Sequence, residues 1–562
     1  MTPQKPSTPR SFGLLVLLIL FQASNLSSVV KAGGTPTTPQ ASSAIRDLVN
    51  SGQLPDLRWP NFTDHKAHVA EFYESNGYTP AWLQGHQPSP QALALIDSFK
   101  NAWKKGLQPE DYDAPRWDDR IHALQSSDAD PSRFDVALTV CTMRLVSDLR
   151  IGRIKRKHLR FGLSVEQKKY DLAQFVRDKL LAAPDVSTVL DEVEPTFAGY
   201  RRTEAALIRY TDLIGKDTGE KLPPSDKPID PGKQYAGVPR LRQILQLFGD
   251  LPADAPPPAD PQLYDAALAE AVKSFQRRHA LADDGRIGNE TLKQLNVPVA
   301  DRVRQLQLAL ERWRWAPTEF SQPPIIVNIP DFQLRALDET NKVDLRMRVV
   351  VGKAMRTETP VFSRDMTYVV LRPYWNVPPS ILRGEIVPAI QRNREYIANK
   401  RYEVTTHNGT VVTDGTISDD VLAQLRAGKL TVRQKPGPTN ALGLVKLMFP
   451  NEFNVYLHST PAPEAFSRSR RDFSHGCIRV EQPAELTTWA LRNNPGWTLD
   501  RVKESMESGK NNVTVKLTRP IPVFIVYATA LAYENDEVHF YDDIYGHDAA
   551  LAKMLAKGYP YP

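Results

Sequence analysis

Hydrophobic spacing changes character once along this chain, and that change limits the fold more than any other feature. Up to Trp315 apolar residues recur at helical intervals; beyond Pro323 they gather into short β-type runs. Within the stretch from Arg133 to Leu149, Val136, Val140 and Met143 share a helical face adjoining that of Ala137 and Cys141. Cys141 is therefore expected as a small buried hydrophobe, and Phe72, Tyr73 and Trp82 as core aromatics. After Pro323, Ile325–Ile329, Leu334–Leu337, Met347–Val351 and Met366–Leu371 read as strands. Asn408-Gly409, between Val404 and Val411, signals a hairpin. Segments 381–400 and 418–427 read as helical insertions, and 548–557 as a helical tail. The expected architecture is multidomain α+β.

At roughly 100–200 residues per domain, 562 residues imply about three to five units. Proline, at 46 of 562 residues against a usual ~5%, favours rigid linkers and turns. The expected division is a leader at 1–32, a Gly/Thr/Pro linker at 33–44, and a helical domain at 45–235. A small three-helix module at 236–298, a connecting helix at 299–322, a mainly-β domain at 323–530 and a tail at 531–562 follow. Asp301 is expected to cap the connecting helix. The leader has Lys5 and Arg10, an apolar run from Phe12 to Phe21, and Val30-Lys31-Ala32 as a cleavage site. That run is shorter than the ~20 residues of a membrane span, so the chain is expected outside the cytoplasm, tethered to a membrane only if the leader stays uncleaved. A formal charge of +6 over this length does not argue for nucleic acid. Two cysteines, Cys141 and Cys477, exclude a disulfide scaffold and a four-cysteine metal cluster. The turn at Asp542 to Asp548 is expected at the surface.

The densest chemistry lies at Tyr456-Leu457-His458, then fifteen residues, then Ser474-His475-Gly476-Cys477-Ile478-Arg479. Tyr456 and His458 are two apart on an expected strand and so share a face. Gly476 admits a positive φ beside the cysteine. A thiol attacks as thiolate, and an imidazole within reach takes its proton. The amides of Gly476 and Cys477 are candidate donors to an oxyanion. A structural His/Cys cluster, or a zinc site of His458, His475 and Cys477, remains the alternative.

A histidine, about fifteen residues, then Ser/Thr-His-Gly-Cys and a basic residue two further on resembles the signature of the L,D-transpeptidases (the ErfK/YbiS/YhnG catalytic domain). Pro373-Tyr374-Trp375-Asn376-Val377-Pro378, Asn440-Ala441-Leu442-Gly443 and Phe449-Pro450-Asn451 resemble further parts of that domain. Phe275-Gln276, Asp284-Gly285, Ile287-Gly288, Thr291 and Leu295-Asn296 resemble a peptidoglycan-binding-like module. Tyr73, Trp82 and Gly106-Leu107-Gln108-Pro109 resemble the scaffold domain of the large periplasmic members. The resemblance implies a periplasmic enzyme without cofactor or metal, acting on tetrapeptide stems as donor and acceptor. Cys477 is then the nucleophile and His458 the base; Gly476, His475, Tyr456 and Arg479 are oxyanion or supporting groups. Trp375, Ser474 and Asn440 are then substrate contacts. The product is a link between diaminopimelate residues with release of D-alanine. A peptidase of the NlpC/P60 kind has its cysteine before its histidine, the reverse of the order here. The only Ser-x-x-Lys, at Ser28 to Lys31, lies in the leader and no Lys-Thr-Gly exists, against a serine D,D-transpeptidase. A wall-active cysteine carboxypeptidase, or a non-catalytic wall-binding scaffold, is the remaining rival.

Overall fold

The computed structural model describes residues 39–126, 130–154, 170–317 and 319–561; the expected leader and the first part of the linker lie outside them. Helices Pro39–Ser51, Lys66–Ser75, Pro90–Lys100 and Pro131–Ile151 enclose a core that contains Phe72, Tyr73, Trp82 and Cys141. The Pro131–Ile151 helix starts as its sequence prescribes, with proline at the first position and Asp130 accepting the Arg133 amide at 3.1 Å. Inside it, buried Asp135 accepts the Tyr73 hydroxyl at 2.6 Å and the Ala81 and Trp82 amides at 2.8 Å. These bonds pin the aromatic segment to the helix.

Helices Val238–Leu247, Ala266–Arg278 and Asn289–Leu295 form the small module. The Gln276 amide donates to the Thr291 hydroxyl at 3.1 Å and accepts the Gly285 amide at 2.9 Å. Those motif residues therefore hold the module to itself. Between it and the β domain lies a cleft of about 460 Å³, edged by Arg286, Asn289, Phe332 and Arg470.

The Val299–Trp315 helix is the spine between domains. It starts two residues before Asp301, because the Pro298 carbonyl already accepts the Asp301 and Arg302 amides; Asp301 sits in the first turn, where its charge still meets the helix dipole. The spine packs against Ala198–Ile214 so closely that a Cβ on Gly199 would lie 2.7 Å from the Trp313 ring. Arg312 pairs with Asp548 at 2.5 Å, and buried Glu311 with Arg153 at 3.2 Å. The Asp542–Asp548 turn, partly exposed as expected, is also a joint: Asp542 accepts Gln294 of the module, and Asp543 accepts the Tyr527 hydroxyl at 2.6 Å. After the His547–Leu555 helix, the chain end returns to the first domain, where Tyr559 bonds to Asp148 and Tyr561 to Asp111.

Nine strands form the β domain. In spatial order they are Asp472–Ser474, Val343–Gly352, Ile478–Val480, Leu457–His458, Val445–Met448, Phe362–Leu371, Val513–Val526, Ile325–Asn328 and Gln333–Leu337. Gln333–Leu337 also pairs with Val343–Gly352, so eight of the strands close into a barrel. Residues 373–440, between the Phe362–Leu371 and Val445–Met448 strands, fold apart from it. A small sheet containing Trp375–Asn376 and Thr431–Gln434 packs there on the helices Val387–Arg392 and Asp419–Arg426, around Val377, Ile390, Val404 and Leu425. Tyr402–Thr405 and Val411–Thr413 pair as the expected hairpin, with a bulge and a wider connection than Asn-Gly alone implies. There the Thr406 amide reaches the Thr410 carbonyl at 3.0 Å, and Gly409 takes φ +88°.

Candidate active site

Leu457 and His458 pair in parallel with Ile478 and Arg479, and antiparallel with Leu447 and Lys446. Side chains alternate across a sheet. Leu457, Ile478 and Leu447 are fully buried in the barrel core, so Lys446, His458 and Arg479 stand together on its outer face. The Ile478 amide donates to the Tyr456 carbonyl at 3.1 Å, which continues the ladder one step. Tyr456 and Cys477 form the next row of that face. Cys477 and His458 are therefore diagonal neighbours on adjacent strands, a separation that a side chain spans. The Tyr456 and His458 rings stand 5.9 Å apart, edge to face.

His458 Nδ1 lies 2.6 Å from the Ser459 carbonyl. A carbonyl only accepts, so Nδ1 carries the hydrogen and Nε2 keeps its lone pair. Burial, and then the Arg479 charge, lower the imidazole to about 3, so it is neutral near pH 7. The Ser459 acceptor is itself held in place. Gly443, at φ +62°, presses on it so tightly that a Cβ would meet Ser459 Oγ at 2.5 Å. Asn440 has been expected to touch substrate. It is instead fully enclosed, donating to the Pro373 and Lys435 carbonyls at 3.2 and 3.0 Å and accepting the Leu442 amide at 2.8 Å. Its role is to fold the loop that braces His458.

Cys477 is half-buried, and its thiol donates to the Asn454 carbonyl at 3.6 Å. Burial raises its pKa; hydrogen bonding from Tyr456 and the charge of Lys446 counter this in part. Burial raises Tyr456 as well, so its hydroxyl stays protonated, and the nearby Trp375 indole counters that rise only in small part. Trp375 thus reaches the site through Tyr456, while its ring packs on the core of the inserted subdomain.

The turn before the cysteine is closed by its own atoms. Gly476 takes φ +109°, its amide donates to Ser474 Oγ at 3.1 Å, and Ser474 Oγ donates to the Cys477 carbonyl at 2.6 Å. Two expectations change accordingly. The Gly476 amide is already used, which leaves the Cys477 amide for an oxyanion, and buried Ser474 is a turn brace and not a substrate contact. Thr357 Oγ1 and Thr359 Oγ1 hold the turn from outside, at 2.8 Å from the Ser474 and Gly476 carbonyls. His475 points away from the sulfur: its Nε2 meets Glu385 Oε1 at 2.7 Å, with the two side chains about half exposed. Zinc ligation by His458, His475 and Cys477 together would need this ring turned back. Lys446 and Glu385 escape sequence reasoning; for Lys446 the only signal is one cation in the alternating run Val445-Lys446-Leu447-Met448.

Residues 323–515 match the model of the L,D-transpeptidase catalytic domain. Residues 67–207 match that of a scaffold domain, and 234–295 that of a putative peptidoglycan binding domain. A putative L,D-transpeptidase of Haemophilus influenzae is 30% identical over 277 residues, which are 48% of this chain and 55% of the relative. The chain thus spans about half the length of the curated relative it matches.

Proposed function

On a chain that carries an L,D-transpeptidase catalytic domain, we propose that Cys477 and His458 carry out acyl transfer between peptidoglycan stem peptides. The observation that carries this reading is the parallel pairing that sets Cys477 and His458 on one barrel face, with Nδ1 tied to a carbonyl and Nε2 left as a base.

At rest the pair is a neutral thiol and a neutral imidazole. As the donor carbonyl arrives, the thiol turns from the Asn454 carbonyl and gives its proton to His458 Nε2 as sulfur attacks. The Cys477 amide and the Tyr456 hydroxyl are the donors for the tetrahedral oxyanion. Collapse breaks the bond to D-alanine, whose amine takes the proton from His458, and leaves a thioester on Cys477. The side-chain amine of a second diaminopimelate then gives a proton to His458 and attacks the thioester. This forms the cross-link, and the proton returns to the departing sulfur. Trp375 orients the Tyr456 hydroxyl, Arg479 faces substrate beside His458, and His475 joins the catalytic turn to the inserted subdomain through Glu385.

A scaffold domain and a peptidoglycan-binding module in the same chain support the tetrapeptide stem as substrate and the periplasm as the place of action, reached through the segment 1–32. The proposed division of the chain is 45–235, 236–298, 299–322, 323–530 and 531–562. Incubating the purified chain with tetrapeptide-rich sacculi and separating the muropeptides tests the function. Direct links between diaminopimelate residues are expected, absent with Cys477→Ala. Shortened stems without such links would make the enzyme a carboxypeptidase, and stoichiometric zinc in the purified protein would overturn the thiol mechanism.

A further inference from the structure

Lys446, His458 and Arg479 occupy one row across three strands of the outer barrel face. Two cations therefore flank the imidazole. Neither forms an ion pair with a carboxylate among the described residues, although both are largely withdrawn from water. Arg479 Nε is buried without a hydrogen-bond partner, and Glu464 is the acid whose field reaches it. The Lys446 ammonium stands 5.8 Å from the Tyr456 ring centroid, on the side of Cys477. Other cations withdrawn from water have either a carboxylate, as Arg312 has Asp548, Arg153 has Glu311 and Arg335 has Asp331, or carbonyl acceptors, as Arg302 and Arg471 have. Desolvating a cation without a counter-ion is costly, and sites that keep such a cost are commonly sites of function.

We propose that Lys446 and Arg479 form a carboxylate-binding site that holds the donor peptide across His458. The inference rests on the acyl-transfer reading above and names a recognition element for it. The spacing suits a peptide acylating Cys477. The cation row lies two residues along the strands from the sulfur, about 7 Å, and a carboxylate one residue beyond the attacked carbonyl lies about 3.5 Å further on. Lysine and arginine side chains span the remainder. The terminal D-alanine carboxylate has this spacing, and the D-centre carboxylate of diaminopimelate, further out at the end of an extended side chain, also comes within reach of the row. A charge-assisted bond to either replaces the missing counter-ion.

The test compares free-acid donor tetrapeptide with two single amides, one at the D-alanine terminus and one at the D-centre, by release of D-alanine (D-alaninamide from the terminal amide) from wild type, Lys446→Met and Lys446→Arg. Wild type is expected to show a KM about 10- to 100-fold lower for the free acid than for one of the amides, and that amide identifies the carboxylate. Lys446→Met is expected to lose this discrimination by raising KM for the acid, with kcat changed less than about threefold, and Lys446→Arg to restore most of it. Equal loss on acid and amides, or a fall in kcat at unchanged KM, would overturn the site and leave Lys446 only its electrostatic effect on the thiol. Calorimetry of the same peptides on Cys477→Ala separates the two readings. Acid-selective binding that Lys446→Met abolishes, with no turnover by wild type, would retain the site and reject the acyl transfer. Turnover without acid selectivity would do the reverse.

Discussion

The two cysteines of this chain sit in opposite surroundings. Cys141 lies inside a long helix, fully buried in the core of the first domain, and burial pushes its thiol up to about 12. Cys477 is raised by burial too, but it follows a left-handed glycine at a turn, half-exposed, with Tyr456 and Lys446 working against that burial. Desolvation alone makes a thiol inert. Reactivity comes from what is set beside it. The cations differ in a similar way. In the spine, Arg312 and Arg314 have Asp548 and Glu311 and buried Arg302 bonds to Gln294, while Lys446 and Arg479, beside the thiol, have no carboxylate partner among the described residues.

The sharpest way to break this comparison is to remove each sulfur. Cys477→Ala is expected to cut D-alanine release by about a thousandfold or more, since a nucleophile has no substitute, while Cys141→Ala leaves the rate unchanged. Removing the base comes next: His458→Ala should cost about 10²- to 10⁴-fold in kcat/KM. His475→Ala should cost only a few-fold, because an exposed His–carboxylate contact is worth little. A wild-type rate in His458→Ala would leave the thiol without its base.

Labelling with iodoacetamide sharpens the contrast through pH. Cys477 is expected to react in the folded protein and Cys141 only after unfolding. A thiol raised above its ordinary value is mostly protonated at neutral pH, so labelling of Cys477 should rise about tenfold per pH unit from 6 to 8. His458 is neutral above about 3 and adds no step in that window. A rate already level from pH 5 upward would instead reveal a resting thiolate–imidazolium pair. The smallest effect is on stability: Cys141→Ala should lower it by about 1 kcal/mol, measured by urea unfolding.

Much of the architecture was legible because it rests on local chemistry. The Pro131–Ile151 helix has its cap and its apolar spacing in the sequence, and the Ile325–Asn328 and Gln333–Leu337 strands their β-rich runs. Asp301 misled because Asp is only one of several ways to start a helix, and Pro298 closes the turn first. Asn440 and Ser474 misled because a polar residue near a catalytic motif serves equally well to hold backbone. Which it does depends on carbonyls and amides brought from elsewhere in the chain, such as that of Pro373.

By itself the sequence determined the candidate pair Cys477 and His458, the glycine that admits the turn, and the change from helical to strand spacing, since each is a matter of residue type and short-range geometry. Only the tertiary structure decided what surrounds that pair. Strand register joins Lys446, His458 and Arg479 from three separate segments, the Ser459 carbonyl selects the imidazole tautomer, and the Ser474 hydroxyl removes one amide from the oxyanion donors. Register is set by the burial of the opposite face, Leu447, Leu457 and Ile478 in the barrel core. The chemistry of the outer face is therefore fixed by packing on the inner one.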